Sequence, residues 1–495
     1  MRGLTPQESL AIIRKCKQIP YLKTVVWEMP MCKRIVIVVL ISQVLTLNAY
    51  PKPDDISSFV VVSQRDPRYF ELSNGNPYIP IGFNLVGPPR EDEFGRLFKI
   101  MAENRINYCR VWVSHWDWNV ERKKCLQFDA DRAKTIDRFL SLARKNGIRV
   151  KKCLEYFRVI RPDRNRWSDN LIYHKANGGP YESMHDYLSS EQGRSHFKAK
   201  LDWYANRYGD NPAVFGWELW NEMDAVHGSE WLDWTKEMLP ELHSRFPRNL
   251  AIQSLGSYDR ENKRQSYKTL CLLKENDVAQ VHRYLDEGAG WKICHGPVDV
   301  LASQAVRELI AFNPGKPIIL TETGAVKPRH TGCSELYAKD RDGILLHDML
   351  FAPFFSGAAG TGHVWWWRQA LDEPNLWYHF ARFAEAVEGI DPPAEHFKPI
   401  MVSENRYRLY VLKGRKTVLA WCRDSRNDWK NELVLGHQPE MFDNLEINLS
   451  YFLSGSHKTQ ARIFDPWNNR RYDKSIETGR IRLDTFKRSV VIRVE

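Results

Sequence analysis

Two glutamates, Glu222 and Glu322, each stand at the end of a short apolar run that a turn signal soon follows. The runs cover residues 214–220 and 317–321, and they have the length and composition of buried strands. A carboxyl group at the end of such a strand can donate or accept a proton, or attack an electrophilic carbon. The order and context of these two residues therefore predict a pair of reactive carboxyl groups.

A pair of carboxyl groups that face one pocket suits the cleavage of a glycosidic bond. One carboxyl, kept protonated by its surroundings, gives a proton to the leaving oxygen, and the other attacks the sugar or steadies its cation. Glu222 follows Asn221 directly, so the first strand ends in an Asn-Glu pair.

Together these residues resemble the cellulase and β-mannanase family and its wider clan of retaining glycosidases, clan A or the 4/7 superfamily. Members of that clan place Asn-Glu after barrel strand 4 and a nucleophilic glutamate after strand 7. The resemblance implies that Glu222 is the acid/base and that Glu322 is the nucleophile.

Strand and helix patterns alternate from residue 82 onwards, which predicts a parallel sheet. Eight strand candidates with helices between them predict a (β/α)8 TIM barrel whose catalytic face lies at the carboxyl ends of the strands. Asn74-Gly75 predicts a hairpin ahead of the first strand. The predicted barrel strands are residues 82–86, 107–113, 148–156, 214–222, 250–255, 278–282, 317–322 and 363–367.

Beyond residue 396 the apolar period changes to two, and short strand patterns alternate with Gly, Asn and Asp turns. This pattern predicts a small all-β sandwich. The expected organisation is therefore a leader at 1–49, a barrel with an N-terminal hairpin at 50–390, a linker at 391–397 and a sandwich module at 398–495.

An apolar run at residues 35–47 follows Lys33-Arg34 and has the length of a signal-peptide core. We predict a signal peptide at about residues 29–49 behind an over-extended start. The predicted location is secreted, periplasmic or at the cell surface, with no stable membrane span in the mature form. Retention as a membrane anchor is the alternative.

The net charge of +11 is confined to the two ends of the chain, because residues 50–395 carry 46 basic and 47 acidic side chains. No basic stripe with aromatic readers is present, so no nucleic-acid partner is expected. The nine cysteines are scattered without metal-ligand spacing. We therefore predict no metal and no organic cofactor. The oligomeric state stays open.

The resemblance also implies roles for residues around the two glutamates. Arg110, near the end of predicted strand 2, matches the arginine that the family hydrogen-bonds to its nucleophile, and such a charge favours the ionised carboxylate. His282 and Tyr284 match a His-x-Tyr pair that the family sets beside the nucleophile. One departure is Glu155-Tyr156, which stands where the family usually supplies a histidine; His115 is a candidate for that space.

Asn221 is expected to bind the sugar 2-hydroxyl, whose hydrogen bonds strengthen in the transition state. One of Trp365 and Trp366 should form the floor of a sugar subsite, and we choose Trp366. Glu218 shares a face with Glu222 at strand period two, so we expect a buried and paired acid there.

The sequence thus predicts a retaining O-glycosyl hydrolase that cleaves β-linked glycans of the glucan or mannan type by double displacement. Its partner is a polysaccharide or oligosaccharide, with the loop at 157–188 forming a wall of the cleft. Two alternatives stay open: a non-catalytic carbohydrate-binding protein on the same barrel, and a transglycosylase.

Overall fold

The structure begins with a small antiparallel sheet below the barrel. It is a computed structural model that describes residues 56–168, 170–453 and 458–495. Strands β1 (Val60–Val62), β2 (Phe70–Leu72) and β3 (Pro77–Tyr78) pair in that order. The predicted turn at Asn74-Gly75 connects β2 to β3, and Gly75 has a positive φ of 88° that favours glycine.

Parallel strands form most of the barrel wall. One parallel sheet has the order β4-β5-β6-β7-β8, and a second parallel pair joins β9 to β10. The amide of Asp277 and the carbonyl of Ala251 link the two groups through a 2.9 Å hydrogen bond. The strands are β4 (Gly82–Asn84), β5 (Tyr108–Trp112), β6 (Arg149–Glu155), β7 (Val214–Trp220), β8 (Leu250–Ile252), β9 (Ala279–His282) and β10 (Ile318–Glu322).

The eighth position of the barrel is filled by an irregular segment, where a strand at 363–367 was expected. A parallel bridge between Thr323 and Val364 joins it to the end of β10, and the His363 amide donates to the Leu320 carbonyl at 2.9 Å. On its other side the amide of Asn84 donates to the carbonyl of Val364 at 3.0 Å, which closes the ring. Gly360 lets this segment approach closely, since a Cβ there would lie 2.4 Å from the carbonyl oxygen of Pro80. The barrel prediction is confirmed, while this strand is shorter than predicted.

Helices cover the outside of the parallel strands, and polar residues cap several of them. Ser190 caps the helix Glu191–Tyr208 by accepting from the amide of Gly193. The next helix, Trp231–Arg245, has Glu230 at its cap position, without a side-chain cap hydrogen bond. The described α-helices are Phe94–Glu103, Ala130–Lys145, Met184–Ser189, Glu191–Tyr208, Trp231–Arg245, Arg264–Leu272, Val298–Ile310, Leu336–Lys339, Ile344–Phe355, Tyr378–Ala386 and Pro392–Glu395.

The C-terminal region is all-β, as predicted. Six strands form one antiparallel sheet in the order β11-β12-β13-β20-β16-β17, and the short pairs β14–β19 and β15–β18 pack over it. The strands are β11 (Lys398–Ser403), β12 (Tyr407–Lys413), β13 (Val418–Asp424), β14 (Met441–Phe442), β15 (Glu446–Asn448), β16 (Gln460–Asp465), β17 (Arg470–Ser475), β18 (Arg480–Arg482), β19 (Phe486–Lys487) and β20 (Ser489–Val494).

Alternate residues of β12 serve two separate cores. Leu409 and Val411 point into the apolar core between the layers of the C-terminal region. Tyr410 and Leu412 point the other way and join the large core that the barrel helices form. Because side chains alternate along a strand, one sheet can cover the barrel and build its own sandwich.

The segment predicted as a linker, 391–397, contains the short helix Pro392–Glu395, capped by the Asp391 side chain. Residues on both sides of it belong to one compact unit, Pro53–Glu495. The domain boundary proposed there stays a prediction.

The predicted leader and signal peptide at 1–49 lie outside the described residues. None of the helices in the described ranges has the length and apolar character that a membrane crossing requires.

The contact between barrel and C-terminal sheet contains a buried ion pair that provides a test. Asp299 accepts hydrogen bonds from Arg408 at 2.6 and 3.0 Å and from the Tyr410 hydroxyl at 2.8 Å. The substitution Asp299→Ala leaves the Arg408 charge buried without a partner, so we expect the free energy of unfolding to fall by about 3–5 kcal/mol. Urea denaturation followed by tryptophan fluorescence measures this loss.

Arg462→Ala is the matched control, because Arg462 pairs with Glu495 at an exposed position of the same sheet. A surface pair contributes about 0–1 kcal/mol, so this variant should unfold almost as the parent does. Equal losses for both variants would contradict a stabilising role for the buried pair.

Candidate active site

The two predicted carboxylates meet at the carboxyl end of the barrel. Glu322 is the last residue of β10, and Glu222 comes two residues after the end of β7. Nδ1 of His282 lies 3.1 Å from Oε1 of Glu222 and 3.3 Å from Oε2 of Glu322. One oxygen of each carboxylate and a ring nitrogen of His282 all lie within 4.8 Å of one another. The three side chains thus enclose one small site.

Glu222 has an unusual backbone conformation. Its φ of 53° and ψ of 57° lie in the left-handed region, which costs a non-glycine residue about 1–2 kcal/mol. Ser254, beyond the end of β8, holds it there: the Glu222 amide donates to Ser254 Oγ at 3.1 Å, and the Met223 amide donates to the Ser254 carbonyl at 3.1 Å. Such strain concentrates at functional sites, and here it turns the side chain of Glu222 at the strand end.

Arg110 lies at the centre of the hydrogen-bond network of the site and is fully buried. Its guanidinium donates to Glu322 Oε1 at 2.5 Å and to Asn221 Oδ1 at 2.7 Å. It also donates to Glu218 at 2.7 and 3.1 Å and to Asn84 Oδ1 at 3.2 Å. A buried guanidinium needs this degree of satisfaction, because an unpaired buried charge is costly. Residues from β4, β5, β7 and β10 are held in one arrangement as a result.

Glu218 lies beneath Glu222 as a buried, paired acid. Lys151 Nζ, from β6, is 3.1 Å from its Oε2, the oxygen that also accepts from Arg110 Nε. Burial alone would raise the pKa of Glu218, but the charges of Arg110 and Lys151 lower it to about 2. The same burial, opposed by Glu218, leaves the pKa of Lys151 lowered to about 8. Glu218 balances the Arg110 charge and does not face the cleft.

Glu322 has a second donor besides Arg110. The hydroxyl of Tyr284 donates to Glu322 Oε2 at 2.8 Å. Burial and the negative charge of Glu322 raise the pKa of Tyr284, so its hydroxyl keeps its proton. The ring of His330 packs edge-on against Tyr284 with centroids 4.5 Å apart. Both oxygens of Glu322 are therefore oriented by donors from β5 and from the residues after β9.

Glu222 differs from the sequence expectation that its surroundings keep it protonated. Burial would raise its pKa, but the hydrogen bond with His282 and the charge of Arg158 lower it. Arg158 forms a direct ion pair with Glu222 Oε2. The surroundings in this structure favour the ionised form, because two donors converge on one carboxylate.

Asn221 is positioned by its backbone as well as by Arg110. Its amide donates to the carbonyl of Glu155 at 2.8 Å, which ties the end of β7 to β6. With Oδ1 occupied by Arg110, the Nδ2 group donates to none of the described residues. A donor held in this way can bind a ligand hydroxyl beside the two carboxylates.

An aromatic cluster forms one wall of the site. Trp112 stacks on Tyr156 with centroids 4.5 Å apart and contacts Trp365 at 5.1 Å. Trp167 packs against the same cluster. Trp366, which we chose from the sequence, packs instead against the main apolar core. The alternation of side chains therefore directs Trp365, not Trp366, to the aromatic wall.

Glu155 and His115 do not contact the carboxylate pair. Glu155 forms an ion pair with Lys200 of the helix Glu191–Tyr208, behind the barrel wall. His115 packs parallel to Tyr156 with centroids 6.1 Å apart, and burial lowers its pKa. Neither residue takes the place of the histidine that the resemblance led us to look for.

Three contributors to the site were missed at the sequence level: Asn84, Arg158 and Ser254. Asn84 and Ser254 lie at or just past the ends of β4 and β8, and a systematic search of strand ends would have found them. Arg158 lies two residues past predicted strand 3, but nothing in the sequence shows which carboxylate it contacts.

Among the described residues, two groups of side chains have donor atoms spaced for a metal ion. These are Glu222, His282 and Glu322 in the site, and Glu121, Cys125 and His196 behind the barrel. In the first, each carboxylate already contacts a guanidinium. In the second, Lys200 Nζ lies 2.8 Å from Glu121 Oε2. These positively charged side chains oppose the binding of a metal cation in both places.

Residues 73–367 match the sequence model of the cellulase family, glycosyl hydrolase family 5. The chain belongs to this family. The matched range contains both glutamates and every residue that we selected as a candidate site residue.

Curated members with mannan-related names are similar over part of their length. The chain is 25% identical over 255 residues to the probable mannan endo-1,4-beta-mannosidase A-1 of Aspergillus terreus, a match over 46% of this chain and 59% of that protein. It is 31% identical over 108 residues to the probable mannan endo-1,4-beta-mannosidase F of Aspergillus flavus, over 20% of this chain and 21% of that one. The chain thus spans less than two thirds of the length of these relatives.

Two solved structures share the fold. One, named a glycoside hydrolase, has a TM-score of 0.59 at 12% identity and covers 88% of this chain and 96% of its own. The other, a glycoside hydrolase family 5 protein from Bacteroides vulgatus, has a TM-score of 0.58 at 14% identity and covers 89% of this chain and 94% of its own. Matches of this extent include the C-terminal β region as well as the barrel.

The pairing of Glu218 predicts how stability depends on pH. Its folded-state pKa of about 2 lies below the unfolded value of about 4.3, so its contribution is present above pH 4.3 and is lost as the pH falls towards 2. We expect Glu218→Gln to be less stable than the parent at pH 7, by about 3 kcal/mol. That difference should shrink between pH 5 and pH 2. Thermal unfolding at pH 7, 4 and 3 measures it.

Glu287→Gln serves as the control, because Glu287 is an exposed carboxyl after β9. Its stability should follow that of the parent at each pH. A Glu218→Gln variant whose deficit stays constant down to pH 2 would show that Glu218 does not carry this ionisation.

Proposed function

We propose that this protein is a retaining glycoside hydrolase that cleaves β-linked glycans of the glucan or mannan type. The observation that carries the proposal is the spacing of the carboxylates, whose nearest oxygens lie within 4.8 Å. Retaining glycosidases separate their two carboxyl groups by about 5–5.5 Å, whereas inverting enzymes need about 6.5–9.5 Å to admit a water molecule. The short separation favours a covalent intermediate.

In the first step an oxygen of Glu322 bonds to the anomeric carbon while the glycosidic bond breaks. The leaving oxygen takes the proton of Glu222. In the second step Glu222 removes a proton from water, and the water oxygen displaces Glu322 from the anomeric carbon. Two inversions at that carbon give net retention. Arg110 and Tyr284 orient Glu322 for attack, and Asn221 offers Nδ2 to the sugar 2-hydroxyl.

The ion pair between Arg158 and Glu222 must open before the first step. Glu222 cannot give a proton while a guanidinium stabilises its ionised form. Arg158 is part of a loop and is partly exposed, so a sugar that enters the site can displace it. Replacing this cation by a sugar, and excluding water, raises the pKa of a buried carboxyl group. Substrate binding thereby favours the protonated form of Glu222, which the first step requires.

A mannan-type backbone is the first substrate to examine, since the curated relatives are named as mannan endo-1,4-beta-mannosidases. A glucan remains the second. A transglycosylase would use the same two glutamates and differ only in the acceptor that attacks the intermediate. A carbohydrate-binding protein without catalysis is the remaining alternative, and two intact, well-positioned carboxylates argue against it.

Export through the signal peptide at about residues 29–49 is also part of the proposal. Its support is the apolar run at 35–47 behind Lys33-Arg34. A polymeric glycan substrate is met outside the cytoplasm, which agrees with a secreted, periplasmic or cell-surface location.

Substitution of the two glutamates tests the mechanism. Glu322→Gln and Glu222→Gln should each lower kcat on mannan or glucan oligosaccharides by at least about 10³-fold, because each removes one half of the acid and nucleophile pair. On an aryl glycoside with a good leaving group, Glu222→Gln should lose much less in its first step. Such a leaving group departs without protonation.

Glu287→Gln is the control carboxyl variant and should keep the parental rate. Proton NMR of the first-formed product distinguishes the stereochemical outcomes. A β-anomer supports double displacement, whereas an initial α-anomer would contradict the proposal even if both glutamates proved essential.

The aromatic wall gives a second test. Trp365→Ala should raise KM on oligosaccharides by about tenfold, since stacking on a large aromatic surface contributes about 0.5–1.5 kcal/mol beyond its buried area. Trp366→Ala should instead lower the free energy of unfolding, because Trp366 packs on the main core. Steady-state kinetics and denaturation on both variants make the comparison. A larger increase in KM for Trp366→Ala than for Trp365→Ala would support Trp366, the residue predicted from the sequence, as the floor of the sugar subsite.

A further inference from the structure

A row of arginines follows β6 directly. Residues 158–166 contain four arginines and a single acidic residue, Asp163. Arg161 donates two hydrogen bonds of 2.7 Å each to Asp163. The other three arginines, Arg158, Arg164 and Arg166, do not pair with Asp163. The middle of the chain is neutral as a whole, so this is a local excess of positive charge.

The three remaining guanidinium groups lie against indole rings. Arg158 and Arg166 are 4.1 and 5.0 Å from the ring centroid of Trp167. Arg164 is 4.4 Å from the centroid of Trp116, which is 36% exposed. Arg122 contacts the same Trp116 ring at 4.2 Å. The loops after β5 and β6 are joined by these contacts.

Stacking prepares a guanidinium to bind an anion. A guanidinium held over an aromatic ring keeps its edge N–H groups free, and they match the two oxygens of a carboxylate or sulfate. No carboxylate among the described residues pairs with Arg122, Arg164 or Arg166. Arg164 and Arg166 are exposed. Their donors therefore face solvent beside an indole ring.

The row reaches the catalytic pair through Arg158. This residue stacks on Trp167 and also pairs with Glu222, so a carboxylate already occupies one guanidinium of the row. Trp167 in turn packs against the aromatic wall that contains Trp112 and Tyr156. A glycan lying along this wall would bring its substituents to the arginines.

We infer that the arginine surface, formed by Arg158, Arg164 and Arg166 with Trp116 and Trp167, binds an anionic substituent of the glycan next to the bond that is cleaved. The inference rests on the proposed glycosidase function and specifies its substrate class. The anion is a uronic acid carboxylate or a sulfate ester on a β-linked chain. Arg158 exchanges Glu222 for this anion when the substrate binds, which couples recognition of the charge to release of the acid.

The test compares one β-linked oligosaccharide in three forms: neutral, with a uronic acid residue, and with a sulfate ester. The ratio of kcat/KM for each anionic form to that for the neutral form is the main readout. Binding to Glu322→Gln by calorimetry is the second readout, since it needs no turnover. We expect anionic forms to be preferred at least tenfold, the effect of one charge-assisted hydrogen bond of about 1.5 kcal/mol.

Substitutions locate the preference. Arg164→Gln and Arg166→Gln should each lower the ratio several-fold, and the double variant should remove most of it. Arg166→Lys should recover little, because lysine keeps the charge but not the planar fork. Arg161→Gln is the matched control in the same loop, and the ratio should not change, because Asp163 already holds Arg161.

The outcomes separate this inference from the proposed function. Hydrolysis of neutral and anionic forms at equal rates would keep the glycosidase and overturn the anion site. Preferential binding of anionic forms without hydrolysis of any of them would keep the site and overturn the glycosidase. A preference that survives in the Arg164→Gln/Arg166→Gln double variant overturns the site as well. If the kcat/KM ratio is higher for one anionic form than for the other, it identifies the bound substituent as a carboxylate or as a sulfate ester.

Discussion

The buried guanidinium of Arg110 is the interaction on which the rest of the site depends. A charge removed from water is tolerated only when its donors are satisfied and its charge is balanced. Glu218 and Glu322 supply the balance, and Asn84 and Asn221 accept the remaining donors. Because these partners come from different strands, the barrel cannot close correctly without bringing them to Arg110. The folding of the barrel therefore assembles the site.

The two carboxylates of the candidate site are held in different ways. Glu322 ends a strand, and both of its oxygens accept from fixed donors, Arg110 and Tyr284. Glu222 follows its strand in a left-handed conformation, and its charge is balanced by Arg158 from a loop. Glu322, the proposed nucleophile, is thus oriented by the barrel, while the protonation state of Glu222, the proposed acid, depends on a side chain that a ligand can move. This difference agrees with the proposed mechanism, in which only the acid must change protonation at the start of the reaction.

The C-terminal sheet contributes to the barrel as well as to its own core. The helix Ile344–Phe355 is buried along its whole length, which requires cover on more than one side. The sheet supplies that cover: Trp421 of β13 packs against Phe351 with centroids 5.8 Å apart. Buried ion pairs, Arg408 with Asp299 and Arg423 with Asp348, cross the same contact. The two regions are one structure in energetic terms, although their strand patterns differ.

Much of this organisation follows from local sequence patterns. Alternating strand and helix periods determine the barrel, and period two determines the C-terminal sheet, because burial of apolar faces acts on each segment separately. Glu222 and Glu322 were identifiable because each stands where a strand ends. The positions of Arg110, His282 and Tyr284 around them followed from family resemblance.

The tertiary structure alone decided the remaining features. Whether Trp365 or Trp366 faces the cleft depends on the backbone of an irregular segment, which takes the place of a regular strand in closing the ring. The hydrogen bond with His282 and the contact with Arg158, which lie 60 and 64 residues from Glu222, together reverse the expected direction of its pKa shift. Such effects depend on distances between side chains from different elements. A linear sequence carries the identity of those side chains, but their electrostatic energies are set only when the fold brings them together.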